Sequence, residues 1–174
     1  MTATPREAVG QAYDPALMLR ARERSWAVLQ GIRERMRPGI SEDEARAEAA
    51  EVFRAHGLER LWHPVVIRIG ANTTLSFRER SNPDLRLGED DIYFIDLGLV
   101  FEGHEGDVGD TFTTGADPAR QACAEAARTL FDEVAAAWRT RGLSGEALYA
   151  FAGERAQAMG WRFNHAIKGH RVGD

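Results

Sequence analysis

Only one of the 174 residues is cysteine, Cys123. An intrachain disulfide is therefore excluded. Cys123 sits among alanines in a helical stretch, so the expectation is a buried structural thiol. Basic residues never gather into a block. The formal net charge is −5, with both signs mixed along the chain, which argues against nucleic acid or an anionic membrane surface as a partner. No apolar run approaches membrane-spanning length, and the N-terminal MTATPREAVGQ has no hydrophobic stretch of the kind that targets a chain for export. No membrane partner is expected, and the cytoplasm is the default location. What remains is ordinary for a globular protein: 44% hydrophobic and 28% charged residues, enough chain for one domain with a real core.

The informative stretch is residues 91–115, DIYFIDLGLVFEGHEGDVGDTFTTG. The run Ile92-Tyr93-Phe94-Ile95 is β-branched and aromatic and reads as a buried strand ending in a carboxylate, Asp96. A Glu102-Gly103 turn leads into a second strand bearing Asp107. If those two residues are the centre of a tight hairpin, Phe101 faces His104 and Gly98 faces Asp107. Asp96 and Asp107 then become diagonal neighbours on one face, roughly 7–8 Å apart at the backbone. Glu105 shares that face, and Asp110 points the other way. Glycines at 98, 103, 106 and 109 leave room for something to approach the backbone. Two anions on one half-buried surface repel, so they call for a cation, a shared proton or a basic partner. A hard divalent metal, or a pair of them, suits carboxylate oxygens best. The plainer alternative is a solvated hairpin, a β-edge of an α+β interaction domain, whose acids face water.

Along the chain, residues 1–13 are polar and loose. Asp14-Pro15 caps a helix in which Met18, Ala21, Ser25, Leu29, Ile32 and Met36 recur at helical spacing, up to Pro38-Gly39. Ser41 and Glu44 form a capping box for a second helix with Ala45, Ala49, Val52 and Phe53 on its apolar face and Gly57 just beyond its end. A strand is expected from Trp62 to Ile69, then a polar, turn-rich connection to the hairpin. Asp117-Pro118 caps a third helix, with Cys123, Ala127, Leu130, Val134 and Trp138 inward, stopping near Gly142. Ser144 caps a fourth, with Leu148, Phe151, Ala152 and Arg155, ended by Gly160. A short strand, Trp161 to Ile167, leads to Gly169-His170-Arg171-Val172-Gly173. Helices in two layers against an antiparallel sheet make an α+β domain over residues 14–174. Its first half, 14–116, carries the hairpin. The second half, 117–174, restarts the same layout and is cut short.

With the hairpin and the GHxxG segment in hand, residues 14–174 resemble the pita-bread metallopeptidases: methionine aminopeptidase, aminopeptidase P and prolidase. Asp96-Leu97-Gly98, Gly103, Asp107 and Thr111-Phe112 fit that family's D-x-G, G, D, T-x-x hairpin, with ten residues between the aspartates. Gly169-His170-Arg171-Val172-Gly173 fits its GHGIG, with arginine at the central glycine. Pro38-Gly39-Ile40-Ser41-Glu42 fits its P-G-(M/T)-T-E. The resemblance implies a pita-bread fold with an incomplete second half, and divalent metal ions, two in the complete family site, drawn from Mn, Co, Fe or Zn. It implies Asp96, Asp107 and His170 as metal ligands. The implied activity is that of an aminopeptidase or Xaa-Pro dipeptidase, hydrolysing peptides near the N-terminus with a hydroxide activated by the metals.

Three departures qualify this. The family's last two ligands are glutamates C-terminal to GHxxG, one of them the acid/base, and the sequence stops before either. No catalytic residue is identifiable within the chain, and a non-catalytic, peptide- or protein-binding member of the same fold is the alternative. Phe77 stands where the family has a substrate-contacting histidine, and His63, at the start of a strand, is the candidate stand-in for that contact. The arginine of the family's T-R-T is Asp110. His56, His104 and His165 have structural readings: a helix-end cation, a turn residue without a partner at ligand spacing, and a strand residue facing away from His170. A half-built domain also exposes apolar surface, so self-association or a homo-oligomer is expected.

Overall fold

The computed structural model describes residues 9–76 and 78–165. Its elements, in order, are α1 (Pro15–Arg33), α2 (Glu42–Ala55), β1 (Arg60–Leu61), β2 (Val66–Ile69), a 3-10 turn (Gly70–Thr74), β3 (Ile92–Phe101), β4 (His104–Thr113), α3 (Pro118–Arg141) and α4 (Gly145–Ala158).

Local chemistry sets the helix starts. The Asp14 carboxylate accepts hydrogen bonds from the Ala16 and Leu17 N–H groups. Ser41 and Glu44 form the reciprocal capping box. Asp117 accepts from Ala119 and Arg120, and Ser144 from Ala147. Each satisfies donors that the first helical turn leaves without a partner. α2 ends as expected: Gly57 has φ +61°, and the N–H groups of Gly57 and Leu58 return to the carbonyls of Arg54 and Phe53. α1 stops at Arg33, earlier than the periodicity predicts. Met36 lies beyond the helix yet still packs against the core.

β3 is the centre of an antiparallel sheet. β4 pairs along one edge of it, from Ile92↔Thr113 to Phe101↔His104. β1 and β2 share the other edge, opposite Leu99–Val100 and Tyr93–Asp96. The expected register holds residue for residue. The turn is tight because Glu102 (φ +52°) and Gly103 (φ +74°) both take left-handed conformations, the geometry that matches strand twist. The Glu59 carboxylate accepts from both their N–H groups, at 2.5 and 3.2 Å.

The expected strand from Trp62 to Ile69 is a correction. It is two short pieces: Trp62 still donates its N–H to the Gly98 carbonyl, and His63–Val65 leave the sheet between them. Pro64 has no N–H to give a ladder, so the break falls where the sequence cannot pair. Nor do Trp161–His165 form a strand; they are irregular, and residues 166 and 167 lie outside the described residues.

Alternation on β3 and β4 divides the sheet into two faces. Ile95, Leu97, Leu99 and Phe101 point to a core shared with Ile67 and Ile69 of β2, Val28, Leu29 and Ile32 of α1, and Ala45, Ala49 and Val52 of α2. Burying each large aliphatic side chain contributes about 1.5–3 kcal/mol. α1 lies close against β4 at Gly106, where an added Cβ would lie 2.1 Å from the Ser25 Oγ and 3.2 Å from the Ala21 carbonyl oxygen. Gly106→Ala is therefore expected to destabilise the fold by about 1–3 kcal/mol. In a Ser25→Ala background the same change should cost less, because the nearest atom is gone; a double-mutant cycle by urea denaturation checks this.

α3 packs beside β4, with the Arg128 guanidinium against the Asp110 carboxylate at 2.9 and 3.1 Å and donating to the Thr111 carbonyl. α4 packs on α3 through the Arg155–Glu133 pair. The expected inward face of α3 is partly corrected. Ala124 and Ala137 are buried, Cys123, Leu130 and Val134 are half-buried, and Ala127 and Trp138 are exposed. Cys123 is thus not a buried thiol. Among the described residues, no helix is long and apolar enough to cross a membrane.

Candidate metal centre

The other face of the sheet carries Phe94, Asp96, Gly98 and Val100 from β3, and Glu105, Asp107, Gly109 and Thr111 from β4. Gly98 is paired with Asp107, and Asp96 with Gly109. The two carboxylates therefore lie diagonally on one surface, as the sequence predicts, and Asp110 lies on the core side with Arg128.

A third group joins them. The break between β1 and β2 carries His63 over the sheet, with Nε2 3.7 Å from an Asp96 carboxylate oxygen and 3.9 Å from one of Asp107. One ligand atom from each of the three lies within 4.8 Å of the others. Gly98 is what permits this. An added Cβ there would sit 2.2 Å from His63 Cδ2, 2.6 Å from Nε2 and 2.8 Å from the Trp62 ring. The imidazole lies on bare backbone, with the Trp62 ring edge-on to it at 4.5 Å between centroids. Trp62 is held in turn by its indole N–H, which donates to the Gly106 carbonyl at 3.4 Å.

The imidazole's orientation is set from behind. His63 Nδ1 lies 2.7 Å from the Pro64 carbonyl oxygen. A carbonyl can only accept, so Nδ1 carries the proton and, in the neutral ring, Nε2 presents its lone pair to the two acids. One nitrogen and two carboxylates form a donor set that suits Mn, Fe, Co or Zn. Ligands about 2.1 Å from one cation stand roughly 3.0–3.4 Å apart. The observed separations exceed this by less than a side-chain adjustment, and the three side chains keep 22–44% of their surface open to solvent. The residues present therefore fit a divalent metal.

The remaining sites divide clearly. His170 and Phe77 lie outside the described residues. His104 joins no group of ligands among the described residues and is a structural residue. It is 2% exposed, its Nε2 accepts the Asp14 N–H at 2.9 Å, and its Nδ1 faces the Glu102 carbonyl at 2.8 Å. It anchors the start of α1 to the hairpin. His165 packs against Phe163 and Tyr149. Sequence reasoning took His63 only for a substrate contact. The signals for its place among the acids were Pro64, which interrupts the strand, and Gly98, which clears the space.

Residues 16–174 match the model of metallopeptidase family M24. Comparison with curated protein sequences finds no match. Among solved structures, the chain is similar to the prolidase from Pyrococcus furiosus, at 22% identity and TM-score 0.68, covering 91% of this chain and 47% of that one. It is similar to the X-Pro aminopeptidase from Thermotoga maritima MSB8, at 21% identity and TM-score 0.69, covering 93% and 46%. It is also similar to zinc-substituted Escherichia coli aminopeptidase P in complex with product, at 20% identity and TM-score 0.60, covering 70% and 28%. The chain thus spans less than half the length of each of these structures.

Proposed function

The chain belongs to metallopeptidase family M24 and has its pita-bread fold, and from that premise we propose that it supplies the metal-holding face of a peptidase that hydrolyses peptides near their N-terminus. The kind of activity is that of an aminopeptidase or an Xaa-Pro dipeptidase. The observation that carries this reading is the pair of carboxylates meeting an imidazole on an open sheet face.

In this reading Asp96 and Asp107 hold divalent metal from β3 and β4, and His170 adds an imidazole. When bound, such ions polarise a peptide carbonyl and activate the water that attacks it. The chain's own residues do the positioning. The space over Gly98 is taken by the His63 and Trp62 rings, while Gly109, paired with Asp96, is exposed and has no side chain, so an extended peptide can approach the backbone there. A cavity of about 390 Å³ is lined by Pro64, which follows His63 in the chain, by Val66, which is paired with Asp96, and by Arg46, Arg68 and Arg80. It gives the rest of a short peptide somewhere to lie. Phe131 and Trp138 project from α3, 70% and 59% exposed, which supports self-association as part of the same proposal.

A second reading, a peptide-binding member without catalysis, uses the same open sheet face. A single assay separates the two. With Mn²⁺ or Co²⁺ present, the peptidase reading expects dipeptides with proline second, or peptides with N-terminal methionine, to be cleaved. The rate must exceed that of an Asp96→Asn/Asp107→Asn double variant. Equal rates would leave only the binding reading.

A further inference from the structure

The geometry points to His63 as a third ligand of the cation held by Asp96 and Asp107, so that residues 60–113 supply three ligands to one divalent metal ion. This inference rests on the metal-centre reading above and adds to it a ligand drawn from the interrupted strand.

Four features converge on the ring. Its Nε2 stands at nearly equal distances, 3.7 and 3.9 Å, from oxygens of both acids. Its Nδ1–H is committed to the Pro64 carbonyl, the outer contact that fixes tautomer and ring direction in metal-binding histidines. Its seat exists only because Gly98 has no side chain. Its freedom is further cut by Pro64, which restricts the backbone of the preceding residue to extended conformations, and by the Trp62 ring against it. The result is one nitrogen and two oxygens converging on a solvent-open gap, with positions left for water or substrate.

The competing role is a counter-charge: a protonated His63 neutralising the acids with no metal present. The two roles predict opposite signs. A counter-charge competes with metal, so its removal leaves metal affinity unchanged or raises it. A ligand contributes to binding, so its removal lowers affinity.

The experiment uses the full 174-residue chain. Zn²⁺ and Co²⁺ are titrated by calorimetry into the parent and into His63→Ala, His63→Phe and Asp96→Asn variants, with thermal melts confirming that each is folded. His63→Phe keeps a ring over Gly98 without a lone pair, so it remains informative if His63→Ala fails to fold. The expected result is at least a tenfold loss of affinity in both His63 variants. In the zinc-loaded parent, long-range ¹H–¹⁵N spectra should show the His63 Nε2 resonance moved to the metal-bound range while Nδ1 stays protonated. Undiminished affinity in folded His63 variants, alongside lost affinity in Asp96→Asn, would overturn this inference and leave the metal-centre reading standing. Absence of binding in the parent, or binding insensitive to Asp96→Asn, would overturn both.

Discussion

A chain carrying Asp107→Asn is expected to bind Mn²⁺ at least about a hundredfold more weakly than the parent, with little change in its metal-free melting temperature. Even groups that merely orient a metal ligand cost ten- to hundredfold when removed, and asparagine replaces an anionic oxygen with a neutral one of the same shape. The fold should tolerate the change because Asp107 lies on the open face of the sheet, away from the core. Asp110→Asn is the matched control. It sits three residues further along the same strand, but on the core side, paired with Arg128. It should leave Mn²⁺ affinity unchanged and loosen α3 instead. Isothermal titration of the two variants, with melts in chelator, reads both effects. Equal affinities in the two would remove Asp107 from the site.

Glu42→Ala should destabilise the fold by about 3–5 kcal/mol, the usual cost of removing one partner from a buried charged network. Glu42 is 5% exposed at the first turn of α2. One carboxylate oxygen accepts from the Ile69 N–H at 3.2 Å and the Asn72 amide at 2.8 Å, and the other from the Ser81 hydroxyl at 2.6 Å. The guanidinium of Arg68, 8% exposed, lies 3.8 Å away and donates onward to the Ser76 and Glu79 carbonyls. Alanine would take the nearby carboxylate from that arginine and the acceptor from the Ile69 N–H and the Ser81 hydroxyl, while the Asn72 amide keeps the Asn82 carbonyl. It would also free the end of β2 and residues 79–83, which line a cavity together with Glu42. Glu42→Gln keeps part of the hydrogen bonding and should cost less. Urea denaturation gives both values, and a change below about 1 kcal/mol for Glu42→Ala would show that the network is not coupled to folding.

The hairpin was legible because a two-residue turn leaves no freedom in counting. Once Glu102-Gly103 is the turn, every pair from Phe101↔His104 to Ile92↔Thr113 follows, and so does the face shared by Asp96 and Asp107. Helix starts were legible for a similar reason: Asp14-Pro15, Ser41 with Glu44, and Asp117-Pro118 act over three or four residues.

His63 was harder to place, because its position depends on a glycine 35 residues away and on a strand that breaks at Pro64. Periodicity read straight through that break. The inward face of α3 was misjudged at Ala127 and Trp138 because periodicity reports that a helix has two sides without saying what covers either. The buried positions, Ala124 and Ala137, are set by where β4 and α4 happen to lie. Cys123 followed the same error.

Anomalous diffraction from crystals of this chain grown with Mn²⁺ tests the central claim most directly. The account predicts a manganese peak within bonding distance of carboxylate oxygens from both Asp96 and Asp107. A well-ordered structure with Mn²⁺ at millimolar concentration and no peak between those two side chains would contradict it.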